Sequence, residues 1–138
     1  MIKIINKTRL LAVNQGRILV MQKKTDQLLY TLPGGIKKKK ERLVKSLKRE
    51  TKEEIGLKVK IKKLSFLSTQ SVQKELQLLV KHYFVFKTKT NDFRVLEPEK
   101  FVKVLWIPWS EAFPFLDKED KKAVKMYFKK SKTLTKLL

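Results

Sequence analysis

The sequence predicts a mixed α/β domain of the α+β type, and three observations carry that prediction. Short apolar runs broken by turn signals read as strands over most of the chain. One stretch, residues 42–55, is instead an amphipathic helix that stops at Gly56. A second helical stretch, residues 118 to about 130, opens on the capping residue Asp117.

Taken in order, residues 3–13 and 17–22 carry apolar runs on either side of Asn14-Gln15-Gly16. Leu10 to Val13 and Ile18 to Met21 therefore read as a β-hairpin. Residues 23–27 are a polar loop, and a short strand is expected at 28–31. Pro33-Gly34-Gly35 should end that strand, because proline has no amide donor and glycine permits unusual dihedrals. The lysine run 37–40 reads as a solvated loop that can also draw in phosphates. In the helix 42–55, Leu43, Leu47 and Ile55, flanked by Val44 and Thr51, form an apolar face opposite the carboxylates. Gly56 suits a left-handed stop, and Glu41 complements the helix N-terminus.

Beyond the helix, residues 58–67 alternate weakly and read as a strand, 70–74 as a polar turn, and 76–87 as a β-rich strand. His82, the only histidine, reads as structural and cannot form a two-histidine metal site. Residues 88–100 are polar and contain Glu97-Pro98-Glu99. Residues 101–107 form the next strand, which Pro108 breaks, and Ser110 is the expected N-cap of a short helix. Asp117 then caps the final helix, whose acidic start and basic end match its macrodipole.

At 138 residues and 42% hydrophobic content the chain is expected to be one domain, 1–138, with a real core. Lysines break every apolar run before it reaches membrane-spanning length, and residues 1–7 lack the features of a signal peptide. A cytoplasmic location is therefore expected. The absence of cysteine excludes disulfides, thiolate metal sites and cysteine nucleophiles. The net charge of +21 attracts polyanions, which makes nucleic acid a natural partner by charge. Lysine, however, outnumbers arginine and is spread through nearly every segment, without the interleaved aromatics of single-strand binders. Compositional bias is the preferred reading of that charge, with nucleic acid left open.

The chemistry centres on residues 35–57. Residues three and four apart share a helix face, so Glu50, Glu53 and Glu54 are expected to converge. Carboxylates so close repel one another, and Arg49 can offset only part of that charge. A hard divalent cation such as Mg²⁺ is a better match, leaving coordination positions for water and substrate phosphates. Neither a Ser-His-Asp constellation nor a cysteine site is evident, so water is the expected nucleophile.

This stretch resembles the signature of the Nudix hydrolase superfamily: Gly, five residues, Glu, seven residues, Arg-Glu, aliphatic, any, Glu-Glu, any, Gly, aliphatic. Gly35, Glu41, Arg49, Glu50, Glu53, Glu54 and Gly56 fill its fixed positions and Leu57 its last aliphatic one, while Thr51 stands where an aliphatic residue is usual. Residues 30–35 resemble the family's lead-in, and residues 101–112 its late strand and helix. The resemblance implies the Nudix fold, a mixed sheet sandwiched between helices, over almost the whole chain. It implies a Mg²⁺- or Mn²⁺-dependent attack of water on a phosphoanhydride in a nucleoside diphosphate linked to another group. Glu50 and Glu54 would be the principal metal ligands, Glu53 a ligand or water-orienting carboxylate, and the Gly34 carbonyl a further ligand. Arg49 would hold the glutamates, Glu41 would be accessory, and Gly35 would lie against substrate. The general base would be a box glutamate or a later carboxylate, Glu97 or Glu99.

Nucleoside triphosphates are the first expected substrate, as in MutT-like members. RNA 5′ ends, dinucleoside polyphosphates and ADP-ribose are alternatives, and a non-catalytic nucleotide-binding module is the alternative of another class. Residues 113–117 faintly resemble the base-reading tract of MutT-type enzymes, which would set Asp117 at a purine, in competition with its capping role. Tyr30, Tyr83 and Trp109 can stack on a base, although core packing is the more ordinary use of each.

Overall fold

The first hairpin sets the frame. β1 (Lys3–Asn14) and β2 (Arg17–Lys23) are joined by Gln15-Gly16, whose φ angles of 49° and 77° are both positive. A tight two-residue turn with that backbone matches the twist of the strands it joins. The computed structural model describes residues 1–137.

β1 and β2 stay paired only at Val13↔Ile18 and Asn14↔Arg17. Farther from the turn, β1 pairs antiparallel with β4 (Gly34–Ile36), while β2 pairs with β3 (Tyr30–Thr31). The sheet therefore forks, and the space between the prongs becomes the floor of the site. The other edge of β1 runs parallel to β6 (Gln77–Lys87), which in turn pairs antiparallel with β5 (Leu64–Lys74). β7 (Phe101–Pro108) lies antiparallel along the remaining edge of β2.

Side chains alternate across these strands, so the sheet has two apolar faces. Leu11, Val13, Ile18, Val20, Tyr83 and Val85 pack on one side with Ala112 of α2 (Trp109–Ala112) and with Ala123 and Val124 of α3 (Lys118–Leu137). Leu10, Ala12, Leu19, Met21, Phe84 and Phe86 pack on the other side with Leu47 and Ile55 of α1 (Leu43–Ile55). The result is a mixed sheet with helices on both faces, as expected from the sequence.

In α1, Ser46, Leu47, Thr51 and Ile55 are buried. Thr51 is accommodated among apolar neighbours because its Oγ1 donates to the Leu47 carbonyl at 3.0 Å, which satisfies the hydroxyl within the helix. At the other end, Gly56 adopts φ 68° and its N–H donates to the Lys52 carbonyl, while the Leu57 N–H reaches back to Thr51 at 3.3 Å. This paired closure fixes where the helix stops.

Several sequence expectations need correction. Residues 58–63 are not a strand: Val59 is buried, and residues 61–63 form a single 3-10 turn. The strand begins at Leu64 and continues through 70–74, the stretch expected to turn, and the reversal comes at Glu75-Leu76, with Glu75 at φ 54°. The segment expected at 28–31 is a strand only at Tyr30–Thr31, and Gly34-Gly35 open β4 after Pro33 ends β3. Ser110 lies inside α2 and does not cap it, since Pro108 occupies the capping position. Asp117 does cap α3, its Oδ1 accepting the Asp120 N–H at 2.8 Å, and α3 extends past 130 to Leu137.

Because a side chain at Gly56 would have to sit in the left-handed region, Gly56→Ala should cost about 1 kcal/mol of stability. Urea denaturation checks this; an unchanged midpoint would show that the cap tolerates a Cβ.

Candidate active site

Two glycines bring α1 against the sheet. The Gly34 N–H donates to Glu54 Oε1 at 2.8 Å. A Cβ on Gly35 would overlap the Glu50 carboxyl, and one on Gly34 would overlap the Thr8 carbonyl of β1. A side chain at Gly35 would displace the Glu50 carboxyl, and one at Gly34 would force β4 away from β1.

Arg49 is the hub on the outer side of this contact. Its Nε donates to Glu41 Oε2 at 2.8 Å and its Nη2 to Glu41 Oε1 at 3.0 Å, a two-point grip. Nη2 also donates to the Ile36 carbonyl at 3.1 Å, while Nη1 donates to Glu50 Oε1 at 2.9 Å and to Glu53 at 3.3 Å. The Arg49 hydrogen bonds hold the Glu41 carboxyl down to about 2, with help from the Lys38 N–H. Arg49 in return stays firmly protonated, through Glu41 first and Glu50 next.

The three glutamates of α1 do not gather at one point: Glu50 shares Arg49 Nη1 with Glu53 and the cavity with Glu54. Helical residues four apart stack in one stripe, which places Glu50 with Glu54 and Arg49 with Glu53. Glu50 and Glu54 line the cavity in the fork, whereas the Glu53 side chain is half-exposed on the Arg49 side. Among the described residues no group of three or more acidic or histidine side chains gathers as a metal cluster. The α1 carboxylates that line the cavity are Glu50 and Glu54.

Glu54 carries the strain of that arrangement. It is only 7% exposed, and burial pushes its carboxyl up to about 7. The Gly34 N–H and Arg9 pull the other way, while Glu50 and Glu97 add to the upward push. The buried Glu54 carboxyl beside the partly buried Glu50 offers two sets of hard oxygen donors that suit a divalent cation, with water and phosphate oxygens filling the other positions. The residues fit Mg²⁺ or Mn²⁺.

The cavity measures about 420 Å³ and is walled by the glutamate pair, Gly34, Gly35, Met21 and Phe101. Six cations also line it: Lys7, Arg9, Lys23, Lys74, Lys81 and Lys100. Asp117 reaches the same cavity, but Lys81 Nζ donates to its Oδ2 at 2.8 Å and to Glu119 at 3.1 Å. Burial disfavours the Asp117 carboxylate, yet the Lys81 bond and the Asp120 N–H hold its pKa below the usual range.

Glu97 and Glu99 sit on the turn before β7. Glu97 accepts from Lys100 Nζ at 3.3 Å and its charge acts on Glu54; Glu99 is exposed. The aromatics expected as stacking platforms are committed elsewhere. Tyr30 is buried with its ring edge-on to Phe115, and Trp109 is stacked on Phe128 at 4.9 Å. Tyr83 is fully buried and donates to Asp120 Oδ1 at 2.6 Å. Core packing claims all three because their apolar bodies lie on the inner faces of the sheet and α2. His82 bridges Asn6 Oδ1 at 2.9 Å and Thr69 Oγ1 at 3.0 Å, tying β5, β6 and β1 together.

Sequence reading missed Lys7, Arg9, Lys23 and Lys74. A signal existed at the first two. Lys7 and Arg9 have the same strand parity as the core residues Leu11 and Val13, an unusual place for charge.

The family model of the NUDIX domain matches residues 6–128. No curated protein sequence matches significantly. Among solved structures, the chain is similar to the solution structure of the E. coli ORF135 protein, with TM-score 0.78 and 19% identity over 92% of this chain and 90% of that one. It is also similar to a MutT NUDIX hydrolase from Burkholderia pseudomallei, with TM-score 0.75 and 20% identity over 90% of this chain and 98% of that one. A MutT protein from Methanosarcina mazei Go1 aligns with TM-score 0.77 and 16% identity, covering 95% of this chain and 97% of that one.

The raised Glu54 pKa has a stability consequence. Between the unfolded value near 4.5 and the folded value of about 7, the folded protein keeps a proton that the unfolded chain releases. Stability therefore falls as pH rises through that window, to a penalty on the order of 3 kcal/mol above it. In chelator at pH 8, Glu54→Gln should melt above wild type, and the two should converge near pH 4. Parallel melting curves at both pH values would contradict this.

Proposed function

The chain belongs to the Nudix hydrolase family, which acts on nucleoside diphosphate derivatives, and we propose that it is a metal-dependent pyrophosphohydrolase whose substrate is a nucleoside 5′-triphosphate. The observation that carries this reading is the Glu50–Glu54 pair, set by Gly34 and Gly35 at the wall of a cation-lined cavity.

Glu50 and Glu54 would hold Mg²⁺ or Mn²⁺, supported by the Gly34 carbonyl. Such an ion would supply neutralisation of phosphate charge and acidification of the attacking water. The protein's own share is positioning, which is most of what phosphoryl displacement asks of a site. The Gly34 N–H fixes one oxygen of Glu54, and Arg49 fixes one oxygen of Glu50, so the pair is aimed before substrate arrives. Glu41 acts through Arg49. The basic cavity draws the phosphate chain inward against bulk water.

For the proton released by the attacking water, Glu97 is the favoured acceptor. Its charge acts on Glu54, and Lys100, which lines the cavity, holds its carboxylate. Glu53, turned toward Arg49, and the exposed Glu99 are secondary candidates. Asp117 serves α3 and Lys81, which leaves its carboxylate little freedom to read a purine.

Phosphate and pyrophosphate release tests the reading. The panel comprises nucleoside triphosphates, oxidised guanine nucleotides, dinucleoside polyphosphates, ADP-ribose and 5′-triphosphorylated RNA, each with Mg²⁺ or Mn²⁺ and with chelator. Chelator-sensitive release from triphosphates is the expected result. Glu54→Gln should lower the rate on the order of 100-fold, and Glu97→Gln should lower kcat by a similar order, both with unchanged far-UV spectra. No turnover of any anhydride by folded, metal-loaded protein would favour a non-catalytic binding module.

A further inference from the structure

The cavity holds more positive charge than the carboxylates of the chain answer. Of its six cations, Lys81 is answered by Asp117 and Glu119, and Lys100 by Glu97. Among the described residues Lys7, Arg9, Lys23 and Lys74 make no ion pair, although all four line the same space and the charge of Arg9 acts on Glu54, Asp117 and Asp120. Their crowding is unfavourable. Lys7 and Lys81 are direct register partners across the parallel β1–β6 pair, which sets like charges side by side. Burial depresses the Lys7 pKa, and Arg9, Lys81, Lys74 and Lys23 depress it further. Arg9 Nε is buried without a hydrogen-bond acceptor, a donor left unsatisfied inside the fold.

The same cavity is poor in what a nucleobase usually finds. Tyr30, Tyr83 and Trp109 are taken up in the core, and Phe101 is the aromatic residue among those lining it. Unpaired, mutually repelling cations around an unsatisfied guanidinium call for an anion other than the carboxylates already bound.

We propose that Lys7, Arg9, Lys23 and Lys74 form a second phosphate site, so that the preferred substrate is a nucleotide bearing a phosphate on its ribose 3′ oxygen as well as its 5′ anhydride. The 3′ oxygen is where both a bisphosphorylated free nucleotide and the first linkage of a polynucleotide carry their next phosphate. This inference rests on the hydrolase reading for the identity of the 5′ group, but the site itself is testable without turnover.

The experiment is calorimetric titration in chelator at fixed salt, so that no metal or chemistry intervenes. The ligands are a nucleoside 3′,5′-bisphosphate, the 5′-monophosphate, and the 5′-diphosphate as a control with two phosphates in a single chain. The bisphosphate should bind about 10-fold tighter than either control. Arg9→Gln should remove most of that preference, whereas Lys62→Gln, an exposed lysine outside the cavity, should keep it. Lys74→Gln is the second variant, should thermal melting show Arg9→Gln to be unfolded. Equal binding of bisphosphate and 5′-diphosphate would overturn the site. So would equal losses in Arg9→Gln and Lys62→Gln, which would reduce the effect to general attraction by a chain of charge +21. A dinucleotide with a 5′-phosphate and a free 3′-hydroxyl separates the sources: binding like the bisphosphate supports a polynucleotide end, and weaker binding supports a free nucleotide. Selective bisphosphate binding without turnover of any anhydride would sink the hydrolase reading and leave the site standing. Turnover without that selectivity would do the reverse.

Discussion

One hydrogen bond, from the Gly34 amide to the buried Glu54 carboxylate, joins the two halves of the candidate site. It spans twenty residues of sequence and links the short strand beside β1 to the last turn of α1. Around it, each neighbour has a matching constraint. Gly34 has no space for a side chain against Thr8, Gly35 none against Glu50, and Gly56 ends the helix directly after the residues that carry the carboxylates. The glycines of this motif are therefore geometric conditions for placing two acids, which explains why glycine and glutamate recur together in it.

Electrostatics divides the site into an outer and an inner half. Outside, Arg49 bonds Glu41, Glu50 and Glu53 and also ties down the Ile36 carbonyl, so each of these carboxylates has a cationic partner. Inside, balance is missing in both directions: Glu54 is an acid pushed toward neutrality, and four cations lining the cavity form no ion pair among the described residues. A folded protein retains such opposed, unsatisfied charges where a ligand will complete them.

What was legible in the sequence was whatever a short span decides. The spacing from Gly35 to Leu57 identified the helix, its stop and the carboxylates, because helical contacts reach only a few residues. Asp117 was legible as a cap for the same reason. Glu53 was misplaced because grouping residues three and four apart ignored the rotation that separates the Glu50–Glu54 stripe from the Arg49–Glu53 stripe. The end of β5 was missed because residues 70–74 are polar enough to imitate a turn, while the true reversal at Glu75-Leu76 lacks glycine. The cation cluster was hidden more deeply. Its members come from β1 and from the ends of β2 and β5, and only the long-range pairing of the sheet brings them to one wall.

The fork between β1 and β2 also bears on how such a protein can change over time. β1 supplies Leu11 and Val13 to the core and, farther along the same face, Lys7 and Arg9 to the cavity. The residues that hold the carboxylate pair, by contrast, lie on β4 and α1. On the reading proposed above, selectivity and chemistry are carried by different stretches of chain that meet only in the folded sheet. Positions 7, 9, 23 and 74 are separate in sequence from the glycines, Arg49 and the two glutamates. A lineage built on this frame can acquire new substrates by drift at a few strand positions, with its reaction inherited intact.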